Sequence, residues 1–335
     1  MELERHGGSD RTSHGGDVTA PNAKMFTPLE VCWVCGGGKL RPTHEAIFEF
    51  SRYAEQDPEL AKYSGQHVAL TRCAACGFTQ PAALPTLDRY FARMYDQRWS
   101  EEWMTREYTS AYKDLIFHSV LRHLARRLPI SRRTLLDLGA HVGRLLRLAR
   151  EEGWTAEGVE LNPQTASFAS AATGLPVHQA DVRALAGAGR RYDAVTFIDV
   201  LEHIPDPVSA LVAARRVIAP RGWIAIKVPN GPVQLQKELM RARIVAGYRA
   251  TVADNLVHVN HFSPQTLALA LIRAGFTDVD VVPAAPEIVQ PGDAGAAGRG
   301  AMNGFRRAAY AMSRFIPGGV RTPLALHLQA YARVP

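Results

Sequence analysis

The sequence predicts a doubly wound α/β fold on a mostly parallel sheet, preceded by a small module built around cysteines. Three observations carry that expectation. Strand and helix signals alternate from residue 134 to the end of the chain. The strand runs, such as 192–198 (YDAVTFI), are apolar on both faces, as strands covered by helices on each side must be. The four cysteines fall into two C-x-x-C pairs, 32–36 (CWVCG) and 73–77 (CAACG).

Composition sets the frame. The 335 residues allow one large domain and a smaller module, and 47% hydrophobic against 21% charged residues is ordinary for a folded chain. The formal charge of +7 is spread over short basic pairs such as Arg126-Arg127 and Arg306-Arg307, so no stripe suited to nucleic acid emerges. No run approaches the roughly 18 apolar residues of a membrane span. Residues 1–24 are polar and Gly-rich without the apolar core of a signal peptide, which reads as a disordered leader on a cytoplasmic protein.

Cys32, Cys35, Cys73 and Cys76 form a ligand set for one tetrahedral structural zinc in a ribbon-like module over residues 25–85. Glycine after each second cysteine suits the left-handed backbone of such a turn. A cytoplasmic setting argues against disulfides, and the doubled motif against a redox dithiol. The long gap between the pairs implies an insertion over residues 40–71. With four thiolates on metal, none remains as a nucleophile.

Residues 86–130 carry apolar side chains at helical spacing, and Pro129 ends that run as a connector or lid. The expected strands are 134–138, 155–161, 176–179, 192–198, 223–228, 276–282 and 324–333, seven in all, in a domain over 131–335. Helices are expected over 143–152, from Pro163, over 206–218 and over 264–274, with a turn at 220–222. Residues 283–303 read as an Ala/Gly/Pro-rich linker, followed by an amphipathic segment, 305–315 (FRRAAYAMSRF), expected as a lid helix with peripheral membrane contact as its alternative.

In a doubly wound sheet the loop after the first strand meets the ligand. Here it reads 135–146 (LLDLGAHVGRLL). Glu160, ending the second strand, lies 21 positions after Gly139, the spacing at which an acid reaches a ribose hydroxyl pair. Asp181 and Val182 follow the third strand, where a carboxylate reads an adenine amino group. These points describe a nucleoside-binding edge.

The run from Asp137 through Gly139 to Gly143 resembles motif I of class I S-adenosylmethionine-dependent methyltransferases. The run 199–207 (DVLEHIPDP) is similar to the signature after the fourth strand in the branch that includes quinone-biosynthesis O-methyltransferases, as are 258–264 (HVNHFSP) and 274–276 (AGF). The resemblance covers about residues 110–283. It implies a seven-stranded sheet, S-adenosylmethionine as cofactor, and a contact set of Asp137, Gly139, Ala140, His141, Gly143, Glu160, Leu161, Asp181, Val182 and Asp199, the last toward the methionine part. Cysteine modules precede such domains in enzymes that methylate sugars and secondary metabolites. One departure is His141, which stands at the middle glycine of the usual G-x-G-x-G; a β-carbon is expected there only at negative φ. A dehydrogenase of the same fold would require G-x-G-x-x-G, which this loop does not supply.

Methyl transfer to a hydroxyl needs alignment, exclusion of water and a base. His203, just past the fourth strand, is the candidate base, with a loop-fixing role as its alternative; Glu202 is expected to hold the loop or His203. Tyr108, His258 and His261 are candidates for the acceptor pocket, with packing as the alternative. The expected activity is methyl transfer to a small-molecule hydroxyl on a sugar, glycan precursor or secondary metabolite. The alternatives are a ribbon-assisted RNA methyltransferase, against which the absence of an Asn-Pro-Pro-Tyr motif and of a basic patch counts, and a cofactor-binding homologue without turnover.

Overall fold

The structure, a computed structural model, describes residues 24–96, 99–181, 184, 189–288 and 296–335. Residues 1–23 of the expected leader, Val182 and the stretch 289–295 of the expected linker lie outside the described residues.

The front of the chain folds around the cysteines. Strands β1 (Phe26–Pro28) and β5 (Ala83–Pro85) pair antiparallel, and β2 (Leu40–Ile47), β3 (His67–Cys73) and β4 (Thr79–Pro81) form a three-stranded antiparallel sheet. The expected insertion is therefore the two longest strands of this sheet, joined through the short helix α1 (Pro58–Ala61). Its core is aromatic: Phe26, Phe48, Phe50, Tyr63 and Tyr90 meet mostly edge to face, with Phe26 and Phe48 centroids 5.3 Å apart. Leu235, Ala253, Leu256 and Val259, from much later in the chain, complete that core.

Three helices follow, α2 (Tyr90–Tyr95), α3 (Glu101–Thr109) and α4 (Asp114–Arg127). The α/β unit then runs through β6 (Thr134–Leu138), α5 (Arg144–Glu151), β7 (Thr155–Glu160), α6 (Pro163–Thr173), β8 (Val177–Gln179), β9 (Tyr192–Ile198), α7 (Pro207–Arg216), β10 (Ile218–Pro229), α8 (Gly231–Ile244), α9 (Pro264–Arg273), β11 (Thr277–Pro283), α10 (Ala296–Phe315) and β12 (His327–Arg333). The seven strands lie in the order β8-β7-β6-β9-β10-β12-β11. β6 to β10 are mutually parallel, and β12 runs antiparallel to both β10 and β11. The order reverses between β6 and β9, and at such a switch point the loops diverge and leave a crevice beyond the strand ends.

Local chemistry accounts for the starts of several helices. The Asn162 side chain accepts from the N–H groups of Gln164 and Thr165 ahead of Pro163, and Ser263 forms a capping box with Thr266 ahead of α9.

Three expectations change. The turn at 220–222 is a bulge within one strand, because β10 starts at Ile218 and its register with β9 shifts before Trp223. Helix α8 has no counterpart among the expected elements, since its apolar residues make only a weak stripe and Gly231-Pro232 reads as a turn. Helix α10 begins at Ala296, inside the expected linker; its alanines favour helix enough to carry Gly300 and Gly304.

Candidate functional site

A cleft of about 1580 Å³ opens at the carboxyl ends of β6, β7 and β9 and extends to the cysteine module. Its walls include Asp137, Gly139, Ala140, His141, Glu160, Leu161, Asp181, Asp199 and His203, together with Tyr90, Tyr95 and Trp103 from the preceding helices and Trp99 from the segment just before α3.

The glycine loop is held against β7. Gly139 and Ala140 donate their N–H groups to the Val159 carbonyl at 2.8 and 2.9 Å. Gly139 has φ +80°, and a β-carbon there would overlap Val200 Cγ2, so this position requires glycine. Gly143, at φ +83°, caps α5 where a β-carbon would crowd Thr173 and Ala169 of α6.

His141 takes φ +50°, contrary to the negative φ expected of it. Its N–H donates to Glu160 Oε2 at 2.8 Å while Asn162 N–H donates to Glu160 Oε1 at 2.9 Å. The anchored carboxylate sets the loop against the cost of a left-handed histidine, and the imidazole packs against the Trp103 edge, centroids 5.4 Å apart. Burial, and secondly Lys113, push the His141 pKa down to about 4. Burial raises the Glu160 pKa even against these N–H donors.

Asp137 is buried under the loop and accepts from the Thr196 hydroxyl at 2.6 Å; burial pushes its carboxyl up to about 7. Thr196 rather than a loop N–H is its partner.

Asp199, at φ +57°, is enclosed by cations. Burial alone would raise its pKa, but Lys227 and Lys113 hold it well below the carboxylate range. Lys113 Nζ lies 2.7 Å from Oδ2, Lys227 Nζ contacts Oδ1, and Lys227 reaches Glu287 Oε1 at 2.9 Å. Both oxygens of Asp199 are thus already engaged. Neither lysine is among the expected site residues, although Lys227 is the one charge inside the apolar run 224–228 (IAIKV), a pattern that marks a paired buried cation.

His203 sits on the 3-10 turn Leu201–His203 after β9. Its Nδ1 lies 2.6 Å from the Val257 carbonyl oxygen and 2.8 Å from the Tyr95 hydroxyl. A carbonyl only accepts, so Nδ1 carries the proton and Nε2 the lone pair. Burial lowers the His203 pKa, keeping the ring neutral. Glu202 Oε1 is 4.0 Å from Nε2, too far to occupy it. Glu202 is itself 2% exposed, and burial, then the Asp199 charge, push its carboxyl up to about 8.

The acceptor candidates separate. His258 abuts His203, ring centroids 4.8 Å apart, and burial pushes its pKa down to about 3. His261 does not reach the cleft: its N–H donates to the Thr79 carbonyl at 3.1 Å, and its backbone packs against Gly231. Tyr108 also turns away, donating its hydroxyl to the Ala172 carbonyl at 3.1 Å and packing on Phe168. Trp99 and Trp103, stacked at 4.0 Å, supply the aromatic wall instead.

The cysteine module reaches this site through the loop after α8. Ile47 N–H donates to Asp254 Oδ1 at 3.1 Å, Glu49 N–H to Asn255 Oδ1 at 2.7 Å, and the Tyr90 hydroxyl to the Asn255 carbonyl at 2.7 Å. That loop carries Val257. The four cysteine Sγ atoms lie within 4.8 Å of one another, with Cys32–Cys76 at 3.6 Å and Cys35–Cys73 at 3.5 Å. Thiolates about 2.3 Å from a tetrahedral zinc stand about 3.8 Å apart, so the donor set fits that ion. Gly36 and Gly77 take φ of +77° and +79°, as the turns require.

A family model described as a methyltransferase domain matches residues 108–281. Curated relatives include ubiquinone biosynthesis O-methyltransferases of Paraburkholderia phytofirmans, 29% identical over 44% of this chain and 66% of that protein, and of Paraburkholderia xenovorans, 31% identical over 38% and 56%. The chain thus spans between half and two thirds of the length of these relatives. Similar solved structures include a SAM-dependent methyltransferase from Archaeoglobus fulgidus, 18% identical over 70% of this chain and all of that one with a TM-score of 0.45. Another is a sugar N-methyltransferase from Streptoalloteichus, 26% identical over 39% and 54% with a TM-score of 0.35. With more than half of its residues matched by the family model, the chain belongs to the methyltransferase domain family, the class I S-adenosylmethionine-dependent methyltransferases.

Proposed function

We propose that the chain transfers a methyl group from S-adenosylmethionine to a hydroxyl of a small molecule, with His203 as the base. The observation that carries this reading is the tautomer of His203: Val257 O fixes the proton on Nδ1 and leaves the Nε2 lone pair in a ring that lines the cleft. The cofactor supplies an electrophilic methyl carbon with a good leaving group. The protein's part is alignment, which can contribute ~7–11 kcal/mol, and removal of the acceptor proton.

In this reading Glu160 accepts from the ribose hydroxyls with lone pairs left over after His141 and Asn162, and Asp181 meets the adenine. Gly139, Ala140, His141 and Gly143 line the methionine part with Leu161 beside the nucleoside. Asp137 supports the loop from below. Asp199 meets the cofactor amine only as part of a cluster with Lys113 and Lys227, and Lys113 is suited to the methionine carboxylate. Cys32, Cys35, Cys73 and Cys76 hold a structural zinc, and the module of residues 25–85 braces the loop that orients His203.

A hydroxyl acceptor is favoured by the O-methyl chemistry named for the curated relatives. The Trp99–Trp103 wall suits a flat or sugar-like ring, so a sugar, glycan precursor or secondary metabolite is the acceptor class. Labelled methyl transfer into separate sugar and phenolic pools tests it. Incorporation into a hydroxyl is expected; label confined to amines or to RNA would refute the reading.

A further inference from the structure

Helix α10 contributes no residue to the described wall of the cleft. It packs through one face, where Ala309 and Ser313 are buried and Arg306 donates to the Glu287 carbonyl at 3.0 Å. The other face is apolar and is exposed among the described residues. Phe305, Ala308, Met312 and Phe315 follow one another at three- and four-residue spacing and so share one side of the helix. Phe305 is 57%, Met312 51% and Phe315 86% exposed, with Met302 and Ile316 exposed near the same side. Large side chains gathered in this way, unlike apolar residues scattered singly, mark a surface built to be covered.

The charge around the stripe identifies what covers it. From residue 294 to the end the sequence contains no Asp or Glu, while Arg299, Arg306, Arg307, Arg314 and Arg321 lie in or beside the helix. Arg307 and Arg314, seven residues apart, are exposed and lie along one flank of the stripe. A second copy of this chain fits poorly, because pairing the stripes would bring arginines against arginines with no acid to meet them. A small phosphate would not use the phenylalanines. Arginines on the flank with phenylalanine and methionine between them match a helix lying in the plane of an anionic bilayer.

We propose that α10 docks the protein on an anionic lipid surface, with Phe305, Met312 and Phe315 entering the acyl boundary and Arg307 and Arg314 meeting lipid phosphates. This placement is independent of the acceptor's identity. The docking helix also connects to the cleft floor through Arg306, Glu287, Lys227 and Asp199 in sequence.

Cosedimentation of the full chain with sonicated vesicles tests the proposal. Binding is expected to vesicles of phosphatidylglycerol and phosphatidylcholine in equal parts, and to weaken at least about tenfold on pure phosphatidylcholine. The double variants Phe305→Ser/Phe315→Ser and Arg307→Glu/Arg314→Glu should each lose at least about tenfold on the anionic vesicles, while keeping far-UV circular dichroism and S-adenosylhomocysteine affinity. Equal binding by the parent and both variants would overturn the proposal. So would a parent chain that ignores both vesicles, or one that dimerises through the stripe, seen as a mass that falls to the monomer on Phe305→Ser.

Discussion

His203 Nδ1 lies 2.6 Å from the carbonyl oxygen of Val257, and this contact decides which ring nitrogen can accept a proton. With Nδ1–H committed to a carbonyl, Nε2 is the nitrogen that carries the lone pair, as the proposed base role requires.

His203→Ala should therefore reduce kcat about a hundredfold or more, within the range general bases contribute, while S-adenosylhomocysteine affinity changes less than about twofold. Labelled methyl transfer and calorimetry measure the two separately. Because burial lowers the His203 pKa, kcat should be flat at neutral pH and fall only as pH drops below the ordinary histidine value near 6.5. Tyr95→Phe removes the second contact to Nδ1 and should cost a few-fold in kcat. An unaltered rate in His203→Ala would remove the histidine from the base role.

Glu202 titrates the other way. Its folded pKa of about 8 lies above the ordinary 4.5, so its protonated form is the one the fold accepts. Stability from this group is full below about pH 4.5 and is lost as pH rises through 8. Asp199, Lys113, Lys227, His203 and His258 surround it or act on it. Glu202→Gln should therefore raise the urea midpoint relative to the parent at pH 8 more than at pH 5. A constant difference across that interval would mean that Glu202 is not buried as its proton-bearing form.

Metal removal should act on the site through the module. Structural zinc contributes roughly 10–16 kcal/mol of apparent binding energy in small domains, so stripping it should unfold β2 to β4. The loop holding Val257 would then lose the N–H groups of Ile47 and Glu49, which anchor its Asp254 and Asn255. One zinc per chain is expected by atomic emission. Cys73→Ser should abolish it and lower kcat more than it lowers cofactor affinity.

Most of the α/β unit was legible because its strands are buried on both faces and its helices carry their own start signals, as at Asn162-Pro163 and Ser263-Pro264. Helix α8 was not, since its stability comes from Leu235 packing into the aromatic core of the module, a tertiary contact with no local pattern. In the site, Glu160 and His203 lay at positions fixed by strand ends, where spacing is informative. The orientation of Tyr108 and His261 depended on which neighbour each met, α6 and β4 respectively, and no spacing encodes that. Lys113 was hidden because its partner Asp199 is 86 residues away.

In the proposed function, the cleft beyond β6, β7 and β9 holds S-adenosylmethionine, with Glu160 on its ribose. Isothermal titration of S-adenosylhomocysteine into the folded, zinc-loaded chain measures this directly. One site per chain is expected, weakened about tenfold to a hundredfold in Glu160→Ala, as the loss of one or two hydrogen bonds to a charged group implies. No heat of binding from the folded parent, or full affinity in Glu160→Ala, would contradict it.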